Sequence, residues 1–212
     1  MRKLTQITNL CFVLLLLSNT QAQEAGNPSV KEPALRQELL ERVEQDQAIR
    51  NERIRKRVEH PDEDEAILAR MEVIDTANTE RVKAIVRQYG WPSPELVGRD
   101  GAEAAFLLVQ HAELAFQKEM LPLVEKAYRS GGLSGQSYAL LLDRVLVREG
   151  KPQVYGTQAK GFAEWKGQEP VMEPIEDEAN VDKRRAEVGL GPLSKYREAL
   201  KRIYFPQDTR KP

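Results

Sequence analysis

Residues 101–158 decide the fold, and they read GAEAAFLLVQHAELAFQKEMLPLVEKAYRSGGLSGQSYALLLDRVLVREGKPQVYGTQ. Apolar residues recur with the 3.6-residue period of an α-helix in two segments of this stretch, which the Gly131-Gly132 pair separates. The pattern predicts two helices, from residue 102 to about 118 and from about 134 to 149, which the glycine turn lets run antiparallel. A polar segment, residues 153–158, follows the second helix.

Each predicted helix carries one ionisable residue among apolar neighbours. His111 has Leu107 and Leu108 one turn before it, and Asp143 has apolar residues one turn away on both sides. Burying an ionised group without a partner is costly, so both side chains are expected to point inward and to hydrogen-bond. We expect them to form one polar site, lined by part of the 153–158 segment, with His111 and Asp143 as the candidate catalytic residues.

Polar residues also interrupt two long helices expected on the N-terminal side of this stretch. One helix is predicted from residue 33 to 59 and the next from about 62 to 89, with a turn at Pro61 between them. Their apolar stripes break midway, at Asp46, Gln47 and Arg50 in the first helix and at Asp75 and Asn78 in the second. In an antiparallel pair these breaks lie roughly 18 and 22 Å from the turn at 1.5 Å per residue, so they are expected to meet.

The helical pattern changes after Gly150. Extended segments near residues 153–158 and 170–175 are expected to pair as a small β-hairpin, and two short helices follow at about 177–188 and 192–204. The predicted fold class is therefore all-α, or mainly α, as a multi-helix bundle with a small β-hairpin or extended segment near 153–175.

The N-terminus has the pattern of a secretory signal peptide. Arg2 and Lys3 precede an apolar run from residue 10 to 17, and small residues stand at Thr20 and Ala22. Eight apolar residues are far short of the roughly 20 that cross a bilayer, so no stable membrane insertion is expected once the signal is cleaved. We predict a signal peptide at 1–22, a flexible leader at 23–32, a single helical domain at 33–212, and a secreted or periplasmic location.

Composition excludes thiol chemistry after the signal, whereas the absence of known motifs excludes little. The one cysteine, Cys11, lies inside the predicted signal, which leaves no disulfide or thiol for the rest of the chain. A net charge of −1 and a signal peptide argue against nucleic acid as a partner. No Gly-rich phosphate loop, His-Glu-x-x-His or Gly-x-Ser-x-Gly motif is found, so no cofactor is predicted. His111 with three aspartates could hold a divalent ion, but the usual paired-histidine spacing is absent, and no metal is predicted.

Several short elements of the chain resemble those of an uncharacterised bacterial helical family, one of the domains of unknown function. The elements are Asp46-Gln47-x-x-Arg50, Asp75-x-x-Asn78-Thr79, Gly90-Trp91-Pro92, Gln110-His111, Asp143-Arg144, Gln153-x-Tyr155-Gly156-Thr157-Gln158, and Arg184-Arg185 with Gly189-Leu190 and Pro192-Leu193. The resemblance covers most of the chain after the signal and supports grouping these residues. It implies no particular reaction. Where the family has Asp after Gln-His-Ala, this chain has Glu113.

Three classes of function remain open. The favoured hypothesis is an acid–base enzyme, hydrolases included, that acts on a small polar or peptide substrate, with Arg50 or Arg144 holding an anionic part of it. No nucleophile stands out. A binding module for a small polar molecule or peptide would need no catalysis, and a purely structural polar network is the third class. The candidate ligand-binding residues are Asp46, Gln47, Arg50, Asp75, Asn78, Gln110, Arg144, Gln153, Tyr155, Thr157 and Gln158.

Overall fold

A computed structural model of the chain describes residues 30–161, 164–165 and 169–205, and within them it contains seven α-helices and no strand. The helices are α1 (Pro33–Glu59), α2 (Asp64–Tyr89), α3 (Pro94–His111), α4 (Leu114–Arg129), α5 (Gly135–Arg148), α6 (Val181–Glu187) and α7 (Leu193–Tyr204). Short 3₁₀ turns precede α2 and α6. The predicted all-α class is confirmed.

The described residues divide into two compact units, 30–138 and 139–205, with the boundary inside α5. We call them the N-terminal unit and the C-terminal unit. The single domain expected over residues 33–212 stays a prediction.

In the N-terminal unit, α1 and α2 form an antiparallel pair, and α3 packs against both. Ile49 of α1 forms a buried apolar cluster with Ile67 and Met71 of α2. Ion pairs join the two helices at successive levels along their length, namely Arg53–Asp64 near the turn, Arg50–Asp75 midway and Glu38–Arg81 farther away. The predicted antiparallel pairing is confirmed, because residues later in α1 pair with residues earlier in α2.

The helix predicted from residue 102 to 118 is wrong in its bounds. The structure ends α3 at His111, and α4 begins at Leu114 after an extended Ala112 with φ −70° and ψ 173°. The side-chain amide of Gln117 donates to the Gln110 carbonyl at 2.8 Å, and so satisfies a carbonyl that the end of a helix leaves without an intrahelical partner. A side chain six residues past His111 therefore helps to terminate α3.

The predicted β-hairpin of the C-terminal unit is not seen among the described residues, although extended pairing is present. Gln153 forms a parallel bridge with Ile175, whereas Ala159 forms an antiparallel bridge with Met172. The pairing changes from parallel to antiparallel between these two bridges, because backbone amides of the segment 154–157 donate to the side chain of Asp143 in α5. Those amides cannot also pair across a hairpin.

The predicted signal peptide lies outside the described residues, as do positions 23–29 of the predicted leader. The backbone amides of Lys31 and Glu32 donate to the carbonyls of Glu95 and Leu96 at 3.1 and 2.8 Å. None of the helices in the described part of the chain has the length and apolarity needed to cross a membrane.

Candidate functional site

Four ionisable side chains converge inside the N-terminal unit, and we call them the histidine cluster: Asp46 and Arg50 from α1, Asp75 from α2, and His111 at the end of α3. The i, i+4 spacing of the α1 pair places both side chains on one face of that helix. The side chains of Asp46 and His111 are 0% and 2% exposed. The breaks in the apolar stripes of α1 and α2 do meet, as predicted.

The imidazole of His111 lies between Asp46 and Arg50. Its Nδ1 is 2.8 Å from Oδ2 and 3.0 Å from Oδ1 of Asp46. The Nε of Arg50 is 3.0 Å from the same Nδ1. The Nη2 of Arg50 reaches Oδ1 of Asp75 at 2.6 Å and Oδ1 of Asp46 at 3.2 Å.

One nitrogen cannot both donate to Asp46 and accept from Arg50, so the proton on Nδ1 has to be assigned. Burial acts to raise the pKa of Asp46, yet His111, Arg50 and a 2.7 Å hydrogen bond from Gln47 together hold that pKa below its usual value. Asp46 is therefore an anion at neutral pH. Nδ1 of His111 accordingly carries the proton that Asp46 accepts, and in the neutral ring the lone pair lies on Nε2.

With Nδ1 protonated, Nε of Arg50 faces a donor at that nitrogen. Two further hydrogen-bond donors beside this pair are buried without a partner among the described residues: Nη1 of Arg50 and Nδ2 of Asn78. The guanidinium carries five N–H donors, and its two carboxylate contacts both use Nη2. Oδ1 of Asn78 accepts a 3.2 Å hydrogen bond from Arg42, so only the amide nitrogen of Asn78 is left over. A buried donor without an acceptor costs about 1–3 kcal/mol, so both donors call for an explanation.

Asp75 is the most exposed member of the histidine cluster, with 20% of its side chain accessible. Burial raises its pKa to about 6; the neighbouring Asp46 carboxylate adds to this rise, while Arg50 opposes it. Near neutral pH this carboxyl group is poised between its charged and neutral forms. It is also the member of the cluster through which the site meets solvent.

The sequence missed Arg42 and Gln117 as residues around this site. Arg42 stands one turn before Asp46 on the same face of α1, so its spacing could have shown its place. On a single helix over residues 102–118, Gln117 would lie in the same polar sector as Gln110 and Glu113, which hides its inward position. Gln110, a predicted ligand-binding residue, is fully buried, and its carbonyl accepts from Gln117.

A second buried carboxylate, Asp143 of α5, organises the C-terminal unit. Its Oδ1 accepts from the backbone amides of Val154 and Tyr155 at 2.7 and 3.0 Å. Its Oδ2 accepts from the amide and the hydroxyl of Thr157 at 2.9 and 3.0 Å. Burial raises the pKa of Asp143, and these hydrogen bonds oppose that rise because each of them favours the carboxylate.

The segment Gln153–Gln158 also bonds to itself and to its flank. The side chain of Gln153 donates to the carbonyls of Gln158 and Glu173, both at 2.9 Å, and accepts from the Gln158 amide at 2.8 Å. Gly156 has a φ of +67°, and a Cβ there would lie 3.0 Å from Ile175. We call this segment with Asp143 the Asp143 loop.

Side chains of α6 and α7 donate hydrogen bonds to the backbone carbonyls of the Asp143 loop. Arg184 Nε donates to the carbonyl of Val154 at 2.9 Å, Arg185 Nη1 to that of Tyr155 at 2.7 Å, and Tyr196 Oη to that of Thr157 at 2.9 Å. The sequence grouped the two arginines with this segment only through the family resemblance and missed Tyr196. No spacing signal connects residues 30 to 39 positions apart.

The two candidate catalytic residues belong to different units. His111 contacts Asp46 and Arg50 in the N-terminal unit, and Asp143 contacts its own loop in the C-terminal unit. That they share one site stays a prediction. Arg144, next to Asp143 on α5, is buried. Among the described residues, no group of three or more His, Cys, Asp or Glu side chains is arranged to hold a metal ion.

Comparison with known proteins identifies a family but no activity. No curated protein and no solved structure matches the chain. The model of a family of unknown function, DUF6624, matches residues 33–206, which include all seven helices of the described residues and both buried carboxylate sites. The predicted resemblance to a helical family of unknown function is confirmed: the chain belongs to DUF6624.

Proposed function

We propose that the chain is an acid–base enzyme in which His111 is the catalytic base and Asp46 orients it. The observation that carries this proposal is the buried 2.8 Å contact between Asp46 and Nδ1 of His111. An ionised carboxylate on Nδ1 fixes the tautomer and stabilises the imidazolium that forms when Nε2 takes a proton. The guanidinium of Arg50 lies beside the ring, and its unused Nη1 is available for an oxygen that becomes negative during the reaction.

Water activation fits this arrangement without a protein nucleophile. Nε2 would remove a proton from a water molecule as the water oxygen attacks the carbonyl carbon of a small polar or peptide substrate, which gives a tetrahedral intermediate. The protonated Nε2 would then give that proton to the leaving amine or alcohol as its bond to the carbon breaks, and the carboxylic acid product would remain. Ser137 is no free nucleophile, because its buried hydroxyl donates to Glu103 at 2.5 Å. Hydrolysis is therefore the favoured reaction class.

Asp143 takes a different role in this proposal. Four donor groups of its own loop bond to Asp143 and give it a structural role, as the internal bonds of Gln153 do for that side chain. We propose that the Asp143 loop supports the C-terminal unit, and that the ligand-binding roles expected for Gln153, Thr157 and Gln158 are secondary to it.

A non-catalytic binding module is the second candidate function. The unpartnered donors of Arg50 and Asn78 favour it equally, because a ligand oxygen would satisfy them whether or not a reaction follows. The same donors argue against a purely structural network, since such a network normally satisfies its buried polar groups.

The test of the proposed function compares the two histidines of the chain, His60 and His111. The full chain is assayed with p-nitrophenyl esters, p-nitrophenyl phosphate and peptide p-nitroanilides. Loss of a general base lowers kcat by about 10²- to 10⁴-fold, so we expect His111→Gln and Asp46→Asn to show such a loss. The exposed His60 makes His60→Gln the matched control, with wild-type kcat expected.

Two results would count against the enzyme. Turnover that survives His111→Gln rules out the histidine as the base. Absence of turnover with every probe, together with a ligand whose affinity changes in the same variant, would favour the binding module instead.

We also propose that the chain is secreted or periplasmic, on the strength of the signal-like residues 1–22. Intact-mass measurement on exported protein should give an N-terminus near Gln23 without an acyl adduct. Retention of residues 1–22 would contradict this location.

A further inference from the structure

We propose that Arg50 and Asn78 bind a carboxylate group of the substrate, in the place that the Asp75 carboxylate takes on Arg50 in this structure. This inference rests on the function proposed above, because the bound carboxylate belongs to a substrate only if the protein is an enzyme. The carboxylate would form a bidentate ion pair with Nη1 and Nη2 of the guanidinium and would also accept a hydrogen bond from Nδ2 of Asn78.

The donors that such a group needs are already present and buried. Arg50 and Asn78 are 8% and 4% exposed, and Nη1 and Nδ2 have no partner among the described residues. Asn78 stands three residues after Asp75 on α2, so the two side chains are neighbours on one helix face. An oxygen ligand beside Asp75 would therefore be within reach of both unused donors.

Asp75 behaves as an internal substitute for the ligand. Its Oδ1 holds Nη2 of Arg50 at 2.6 Å, as a bound carboxylate would. It is the member of the histidine cluster with the largest exposed fraction, so it can move toward solvent without uncovering Asp46 or His111. The charged groups around it are Arg50 and Asp46 from α1, and His111 is the titratable member from α3.

The local charge favours a monoanion over a dianion. Three guanidinium groups and three carboxyl groups face one another between α1 and α2: Arg42, Arg50, Arg81, Glu38, Asp46 and Asp75. This set is neutral when all six are ionised and carries +1 when Asp75 is protonated. A carboxylate then restores neutrality, whereas a phosphate dianion would leave excess negative charge beside the buried Asp46.

Binding should therefore take up a proton at Asp75. Since the pKa of Asp75 is about 6, a ligand that binds only the protonated form should bind up to about 25-fold more tightly at pH 5.5 than at pH 7.5. Affinity rises as the pH falls because Asp75 and the ligand compete for the Arg50 guanidinium, and protonated Asp75 releases it.

The test uses acetate as the probe and the side-chain NH₂ signals of Asn78 as the readout, in a Bis-Tris chloride buffer with the full chain. We expect acetate to shift these signals and to bind more tightly at the lower pH. Asp75→Asn should bind at pH 7.5 as the wild type does at pH 5.5, with little dependence on pH. Arg50→Lys, which loses the planar guanidinium group, should bind acetate at least about tenfold more weakly. The surface variant Arg36→Lys should bind acetate as tightly as the wild type does.

Several results would overturn the proposal. They are Asn78 signals that acetate does not move at pH 5.5, equal acetate binding by wild type and Arg50→Lys, and tighter binding of inorganic phosphate than of acetate at pH 7.5, where phosphate is mostly a dianion. If Arg50→Lys does not fold, the pH dependence of the wild type against Asp75→Asn decides the question.

The outcome is separable from that of the proposed function. Acetate binding is read on the Asn78 signals and turnover on the chromogenic probes, so each of the two proposals can fail without the other. Acetate binding without turnover of any probe would refute the enzyme and leave the carboxylate site. Turnover that depends on His111, with no effect of acetate or of Arg50→Lys, would refute the carboxylate site and leave the enzyme.

Discussion

The histidine cluster and the Asp143 loop both bury a carboxylate on a helix face surrounded by apolar residues, but they satisfy it in opposite ways. Asp143 accepts from uncharged donors of one short loop, and the carbonyls of that loop are bonded in turn. Asp46 is contacted by the side chains of His111, Arg50 and Gln47, and donors remain unused beside it. Backbone donors make a closed structural unit, whereas side-chain donors in excess make a place for a ligand.

Asp143→Asn should separate the two sites by stability, with the largest effect expected of any variant. The new amide group would face N–H donors that now meet an oxygen, so we expect the free energy of unfolding to fall by about 3–5 kcal/mol. Urea unfolding measures it, with the exposed Glu178→Gln of the same unit as the control. A loss below about 1 kcal/mol would mean that the loop does not depend on this carboxylate.

Asp75→Asn should instead raise the free energy of unfolding above pH 6. The folded-state pKa of Asp75, about 6, lies above its usual value of 3.8. Its contribution to stability is therefore fully present below about pH 3.8 and is lost as the pH rises through 6, at most about 3 kcal/mol in total. The variant should lack this slope and should be the more stable of the two proteins above pH 6.

Urea unfolding of Asp75→Asn and wild type between pH 4 and pH 8 makes this comparison, and the difference between the two proteins removes the contribution of other groups. A difference that does not change with pH would show that Asp75 is not poised near neutrality. The histidine cluster would then be as closed as the Asp143 loop.

The smallest effect is spectroscopic. In neutral His111 we expect the proton on Nδ1 and a pyridine-like Nε2, because Asp46 is ionised and accepts from Nδ1. Side-chain ¹⁵N NMR resolves this, since the chain has two histidines and His60→Gln identifies the other signal. A proton on Nε2 would instead make Nδ1 the acceptor of Arg50 and would require a protonated Asp46.

The sequence predicted the histidine cluster better than the Asp143 loop, and the reason is physical. A break in a helical stripe is visible from residue types, so Asp46, Arg50 and Asp75 could be brought together from the period and the Pro61 turn alone. Asp143 was correctly expected to need a partner. Its partners are mostly backbone amides 11 to 14 residues later, and every residue type but proline has such an amide, so composition does not mark them.

The end of α3 was missed for a related reason. Residues 112 and 113 are compatible with a helix, and the break depends on where the side chain of Gln117 bonds, which the helical period does not encode. His111 was nevertheless expected to point inward, because the two leucines one turn before it lie within α3.

The hydrogen bond from the Gln117 side chain to the Gln110 carbonyl should make position 117 sensitive to mutation. In a library of single substitutions scored by activity, position 117 should be nearly as intolerant as position 111, because Gln117 helps to hold the helix end from which His111 projects. A map of sensitive positions would then include a residue whose described contacts are with α3 carbonyls. Partial recovery by Asn or His at 117, each of which keeps an N–H donor for the carbonyl, would distinguish such a residue from the base itself, for which no substitute should serve.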